Sequence, residues 1–156
     1  MKMFKKLSLV VCFMIAAVLV TGCGASKNVE GTLEEIMTKV YADIPESERP
    51  MGLANTEVTD ENVEYFLGTT DIEYKEALAS ESMIGSIAHS VVLVRTEKNA
   101  DIEAIKTKIK SSVNPRKWIC VGVEEDEVIV KNKGDLIILI MAQSDSDKLE
   151  QAFDNL

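Results

Sequence analysis

Leu136-Ile137-Ile138-Leu139-Ile140-Met141 is six apolar residues in succession, and how it folds decides what kind of molecule this chain makes. The run is too short for a helix core and rich in β-branched residues, so it predicts a strand. Because alternate residues of a strand point to opposite faces, an unbroken apolar run predicts a central strand covered on both sides, or one whose second face meets a partner. Upstream lies Val128-Ile129-Val130, and between the two runs stands Lys131-Asn132-Lys133-Gly134-Asp135, the pattern of a β-hairpin.

Working outward from that hairpin, Ser144 or Asp145 opens a last helix through Phe153, with Leu149, Ala152 and Phe153 on its inner side. Upstream, Asn99-Ala100-Asp101 starts a helix with Ile102, Ile105, Ile109 and Val113 on one face, ended by Asn114-Pro115. Its charges suit the helix dipole, with Asp101 and Glu103 early and Lys106, Lys108 and Lys110 late. Residues 116–126 follow neither period. Residues 87–96 (IAHSVVLVRT) and 72–80 read as two further strands, with a turn or bulge at Met83-Ile84-Gly85.

Nearer the start, Thr32-x-x-Glu35 is a capping box for an amphipathic helix over 33–44, which carries Leu33, Ile36, Met37, Val40 and Ile44 inward and stops before Pro45. Residues 45–58 read as a loop with Pro45, Pro50 and Gly52. A short helix over 60–67 follows and ends at Gly68. The expected order is ααββαββα: an α+β fold with an antiparallel four-stranded sheet and helices packed on one face.

Before Thr32 the chain changes character. Lys2, Lys5 and Lys6 precede an apolar stretch from Leu7 to Val20 broken only by Ser8. Fourteen residues fit the h-region of a signal peptide and fall short of the roughly 20 needed to span a bilayer. The stretch ends in Val20-Thr21-Gly22-Cys23, where small residues leave room for a peptidase and the thiol can carry a thioether-linked lipid. In these residues the chain resembles bacterial lipoprotein precursors. That resemblance implies cleavage between Gly22 and Cys23 and lipidation of Cys23 by a diacylglycerol, with attachment to the extracytoplasmic face of the cell membrane; two acyl chains hold stably where one holds marginally.

Three segments therefore follow: 1–22 as signal peptide, 23–31 as lipidated Cys23 and polar tether, and 32–156 as one α+β domain. The tether could reach about 26 Å at roughly 3.3 Å per residue. Three of the seventeen basic residues and none of the 26 acidic ones lie in 1–22, so the remainder carries fourteen against 26, a net charge of −12. Such a balance argues against nucleic acid and against lying flat on an anionic leaflet. With Cys12 in the signal peptide and Cys23 consumed by lipid, Cys120 stands alone, so the domain is expected to hold together without an internal disulfide.

Over 32–156 the chain resembles the family called domain of unknown function four-three-five-eight, small lipoproteins of Gram-positive bacteria. The matching features are the helix ending at Ile44-Pro45, the stretch Ser82-Met83-Ile84-Gly85-Ser86-Ile87-Ala88 leading into a strand, the helix from Asp101, and Lys133-Gly134-Asp135-Leu136-Ile137. The resemblance implies one extracytoplasmic domain and brings no catalytic residues with it.

Among chemistry-bearing residues, His89 is the only histidine and sits in a predicted strand; pairing it with Cys120 would need the two brought within hydrogen-bond reach. Glu124-Glu125-Asp126-Glu127 lacks the interleaved spacing and Gly turn of a calcium loop and reads as a solvated segment, as Asp145-Ser146-Asp147 reads as helix capping. No Gly-rich phosphate loop, G-x-S-x-G, H-E-x-x-H or C-x-x-C occurs, so neither a cofactor, a metal nor a catalytic residue is expected. Arg116 and Trp118 have the composition of an interface anchor and are the candidate contact with an envelope-protein partner, the other reading being a core Trp118 that covers the end of the sheet. A membrane-anchored, non-catalytic binding domain is the reading these features favour. An envelope hydrolase using scattered carboxylates and a small-ligand-binding lipoprotein are the alternatives.

Overall fold

The strand that carries Leu136–Met141 is buried along its whole length, and its alternate residues enter two separate cores. A computed structural model describes residues 28–156; the signal-peptide and Cys23 expectations fall on residues outside that range. The elements in chain order are α1 (Leu33–Val40), β1 (Leu53–Glu57), α2 (Val63–Leu67), β2 (Glu76–Ser82), β3 (His89–Arg95), α3 (Ile102–Ser112), β4 (Ile129–Lys133), β5 (Leu136–Ala142) and α4 (Ser146–Asp154), with 3₁₀ turns at Glu46–Glu48 and Glu125–Glu127.

All five strands form one antiparallel sheet in the order β1-β2-β3-β5-β4. The α+β class and antiparallel pairing agree with the sequence, but four strands in the order ααββαββα is wrong: the chain runs αβαββαββα. The strand the sequence hid is β1, Leu53-Ala54-Asn55-Thr56-Glu57, inside the stretch read as a loop. As an edge strand exposed over its last three residues it has neither a buried face nor β-branched enrichment to announce it. β2 also starts later than expected and continues through Glu81 and Ser82.

Helices cover both faces of the sheet, which overturns the one-face expectation. Leu136, Ile138, Ile140 and Ala142 of β5 meet α1 and α4, joined by Leu78, Val91 and Leu93. On the other face Ile137, Leu139 and Met141 meet α2 and α3, with Ala77, Ala79, Val92 and Val94. Burying each large aliphatic side chain contributes about 1.5–3 kcal/mol, so a run of six wholly buried residues is accommodated only by a two-sided core. The charged middle of the hairpin, Lys131-Asn132-Lys133, proves to be strand, and the turn shrinks to Gly134 and Asp135. Gly134 takes φ +59°, and a Cβ there would lie 2.5 Å from Asn28 Oδ1.

Local signals act as their chemistry requires. Thr32 Oγ1 accepts from Glu35 N at 3.3 Å while Glu35 Oε2 accepts from Thr32 N at 3.1 Å, the reciprocal capping box. Asp101 Oδ1 accepts from Ala104 N at 3.0 Å at the start of α3. Asp145 occupies the N-cap position of α4 but pairs with Lys148 at 2.7 Å instead of capping. Gly68 ends α2 at φ +75° and lies against the backbone of Ser112, closer than any Cβ would allow, so α2 and α3 dock through it.

The packed part of the chain begins before Thr32. Val29 is buried beside α1, and Arg95 at the end of β3 donates Nη1 to Val29 O and Nη2 to Gly31 O, each at 3.0 Å. Glu76 at 2.8 Å and Asp135 at 3.5 Å neutralise the same guanidinium. The expected tether is thus held at its last few residues. No helix among the described residues is long and apolar enough to cross a membrane.

Candidate functional site

Cross-strand register brings two polar clusters to the same end of the sheet, one on each face. Glu81 and Ser90 are paired across β2 and β3 and point toward α2, while their neighbours Ser80 and His89 point toward α1.

The α2-side cluster is built on charge. Lys117 Nζ donates to Glu81 Oε2 at 2.6 Å and reaches Ser90 Oγ at 3.5 Å, and Tyr65 donates its hydroxyl to Glu81 Oε1 at 2.6 Å. The Lys117 side chain is 5% exposed and that of Glu81 10%. Three rings surround the ammonium: Tyr65 at 4.1 Å, Phe66 at 5.0 Å and Trp118 at 5.3 Å from their centroids. Burial pulls the Lys117 pKa down, opposed by Glu81; burial and then Glu81 push that of Tyr65 up. Both carboxylate oxygens are occupied, so this cluster is a closed structural lock.

On the α1 side the cluster is neutral and incomplete. Tyr41 Oη and His89 Nε2 are 2.7 Å apart and buried. Burial lowers the His89 pKa to about 4, against the milder pull of Asp145 and Glu81, so the ring is neutral at pH 7. Desolvation also raises the Tyr41 pKa. Contact with the Ser80 hydroxyl and the charge of Arg49 oppose that rise; the Ser80 oxygen is sealed from solvent, and His89 Nδ1 has no partner.

A cleft of about 330 Å³ opens next to this cluster between α1 and the β1–β2 edge, lined by Met37, Thr38, Tyr41, Arg49, Leu53, Asn55 and Ser80. Asn55 and Ser80 are direct cross-strand partners and form its floor. Arg49 enters from the loop after α1, where Nε donates to Ile44 O at 3.0 Å and Nη2 to Tyr41 O at 2.9 Å. Its Cζ lies 5.5 Å from the centre of the Tyr41 ring. The cleft combines a fixed cation, a buried hydroxyl, a carboxamide and an apolar side, the composition of a small-molecule site.

The residues singled out from sequence are distributed differently. Trp118 is 7% exposed and packs in the α2–α3 core, so it is not a surface anchor. Arg116 is exposed and pairs with Glu124 at 2.7 Å, pointing away from it. The exposed apolar side chain of this segment is Ile119, whose N–H donates to Gly85 O at 2.7 Å. His89 and Cys120 do not meet: the ring faces α1, whereas Cys120 is exposed, at φ +61°, in the segment that packs on the other face. Glu125–Glu127 forms a 3₁₀ turn capped by Glu124, and among the described residues no three His, Cys, Asp or Glu side chains gather as a metal site would. Tyr41, Arg49, Asn55 and Ser80 went unremarked in the sequence; the one available signal was a lone His89 in a strand.

No family model matches the chain, and neither the curated proteins nor the solved structures contain a match. The family resemblance therefore stands on the quoted residues alone.

Proposed function

We propose that this protein is a lipoprotein held on the extracytoplasmic face of the cell membrane through Cys23, and that its domain is a binding module rather than an enzyme. The Lys5-Lys6 start, the Leu7–Val20 stretch and Val20-Thr21-Gly22-Cys23 support the anchor. Binding rests on one observation: Arg49, fixed by two backbone carbonyls and holding no carboxylate among the described residues, lines an open cleft. A guanidinium held in place with donors to spare can take an anionic group.

Two measurements on the intact protein test this reading. Labelled palmitate should be incorporated by the native chain and not by Cys23→Ser; equal labelling removes the anchor. Native mass spectrometry of protein isolated from its own membranes should show a small non-covalent adduct that Arg49→Gln loses, and a bare mass for the native chain counts against a small-ligand module. A second reading, an envelope-protein partner, draws on exposed Met51, Met83 and Ile119, which the Met83 N–Gly52 O and Ile119 N–Gly85 O hydrogen bonds gather at the β2–β3 end. Met83→Asp with Ile119→Asp should abolish crosslinking to such a partner while leaving the unfolding midpoint in place.

A further inference from the structure

The chain contains three arginines, and two of them hold carboxylates: Arg95 with Glu76 and Asp135, Arg116 with Glu124. Arg49 holds none among the described residues, although acids far outnumber bases in this protein. It is half-buried, and two backbone carbonyls and the Tyr41 ring fix its guanidinium, so its position does not depend on an ion pair. Two of its five N–H donors are engaged in that way, which leaves about three for a ligand. On the floor of the same cleft, beside the buried Ser80, the exposed Asn55 carboxamide makes no hydrogen bond within the described part of the chain.

We infer that the cleft between α1 and the β1–β2 edge binds a small monocarboxylate, with Arg49 taking the carboxylate, Asn55 taking a neighbouring hydroxyl or amine, and Met37 and Leu53 contacting the apolar remainder. This rests on the binding-module reading and gives it a ligand class. A guanidinium presents parallel N–H donors that match the two oxygens of a carboxylate. One cation balances one negative charge, and the large net negative charge of the domain disfavours a phosphate dianion in a cleft that offers no second cation. A volume of about 330 Å³ suits a ligand of amino-acid size or the last residue of a peptide. Free acid and peptide C-terminus present the same group, so they are separated by experiment.

Isothermal titration calorimetry on the full-length protein in detergent tests this with L-serine, L-lactate and trialanine, each beside its C-terminal amide. At least one free acid should bind saturably below about 10 mM, and its amide about tenfold more weakly. Binding by serine or lactate identifies a free metabolite; binding by trialanine alone identifies a peptide terminus. Arg49→Gln should abolish binding, but Arg49 also supports the loop after α1, so two variants that leave its contacts intact accompany it. Asn55→Asp, on an exposed edge strand, sets a carboxylate against the ligand and should weaken binding about tenfold. Ser80→Ala, which removes a hydroxyl that the cleft does not expose, should leave binding unchanged. No saturable heat from any of the three acids, equal binding of acid and amide, or unchanged affinity in Asn55→Asp overturns the assignment. Calorimetry reads the cleft whether or not Cys23 carries lipid, and palmitate labelling reads the anchor whether or not the cleft is filled, so either can fail alone.

Discussion

Glu81 and Ser80 are adjacent in sequence and opposite in circumstance. Glu81 turns toward α2 into a site where both its oxygens, an ammonium and a phenol are matched and ringed by aromatic side chains. Ser80 turns toward α1 into a site without an ion pair, where it meets Tyr41, His89 Nδ1 is left unmatched and a cleft opens alongside. The same strand thus supports a buried ion pair on one face, with Trp118 Nε1 its one unmatched donor, and a neutral cluster beside an open cleft on the other.

The largest effect expected is on the lock. Glu81→Ala strands a buried ammonium and should cost about 3–5 kcal/mol in chemical denaturation, whereas Glu81→Leu combined with Lys117→Met should recover most of that loss. A loss under 1 kcal/mol in the single variant would mean the two clusters are alike.

Next comes acid. His89 is the only histidine, and its folded pKa of about 4 lies below the ordinary 6.5, so the unfolded chain takes up a proton that the native ring refuses. The stability this provides is present above pH 6.5 and is lost as pH falls toward 4, by about 2 kcal/mol at pH 5. Urea unfolding of the native chain and of His89→Gln at pH 7 and pH 5 checks the sign: the difference between them should shrink on acidification. A smaller effect should follow from Tyr41→Phe, which removes the partner of His89 Nε2 and should cost about 1–2 kcal/mol. Smallest of all is Ser80→Ala, expected to cost about 0.5–1 kcal/mol in urea unfolding because the hydroxyl it removes meets only that of Tyr41. A loss above about 2 kcal/mol there would make the neutral cluster as stabilising as a buried charged one and close the contrast between the two faces.

What was legible in the sequence follows from how each signal is encoded. The apolar runs Val91–Val94 and Leu136–Ala142 and the helix caps at Thr32 and Asp101 are local, and each produced an element of the expected type, although α1 stops at Val40 instead of running to Ile44. β1 was hidden because an exposed edge strand needs little more than backbone pairing with β2. Two-sided packing was written in Leu136–Met141, but an element order alone cannot say which helix takes which face. The cleft was invisible for a different reason: Tyr41 and His89 are 48 residues apart and Arg49 lies in a loop, so no window of sequence contains the site. Trp118 was left open between surface and core because 116–126 has no period, and without one the direction of a side chain is unreadable; Trp118 faces in and Ile119, one residue further on, faces out.

Arg95 belongs to β3, the middle strand, and grips the carbonyls of Val29 and Gly31 as the chain enters the domain. Tension on the N-terminal segment therefore enters the sheet at its centre, where β3 is bonded on both sides, instead of peeling away an edge.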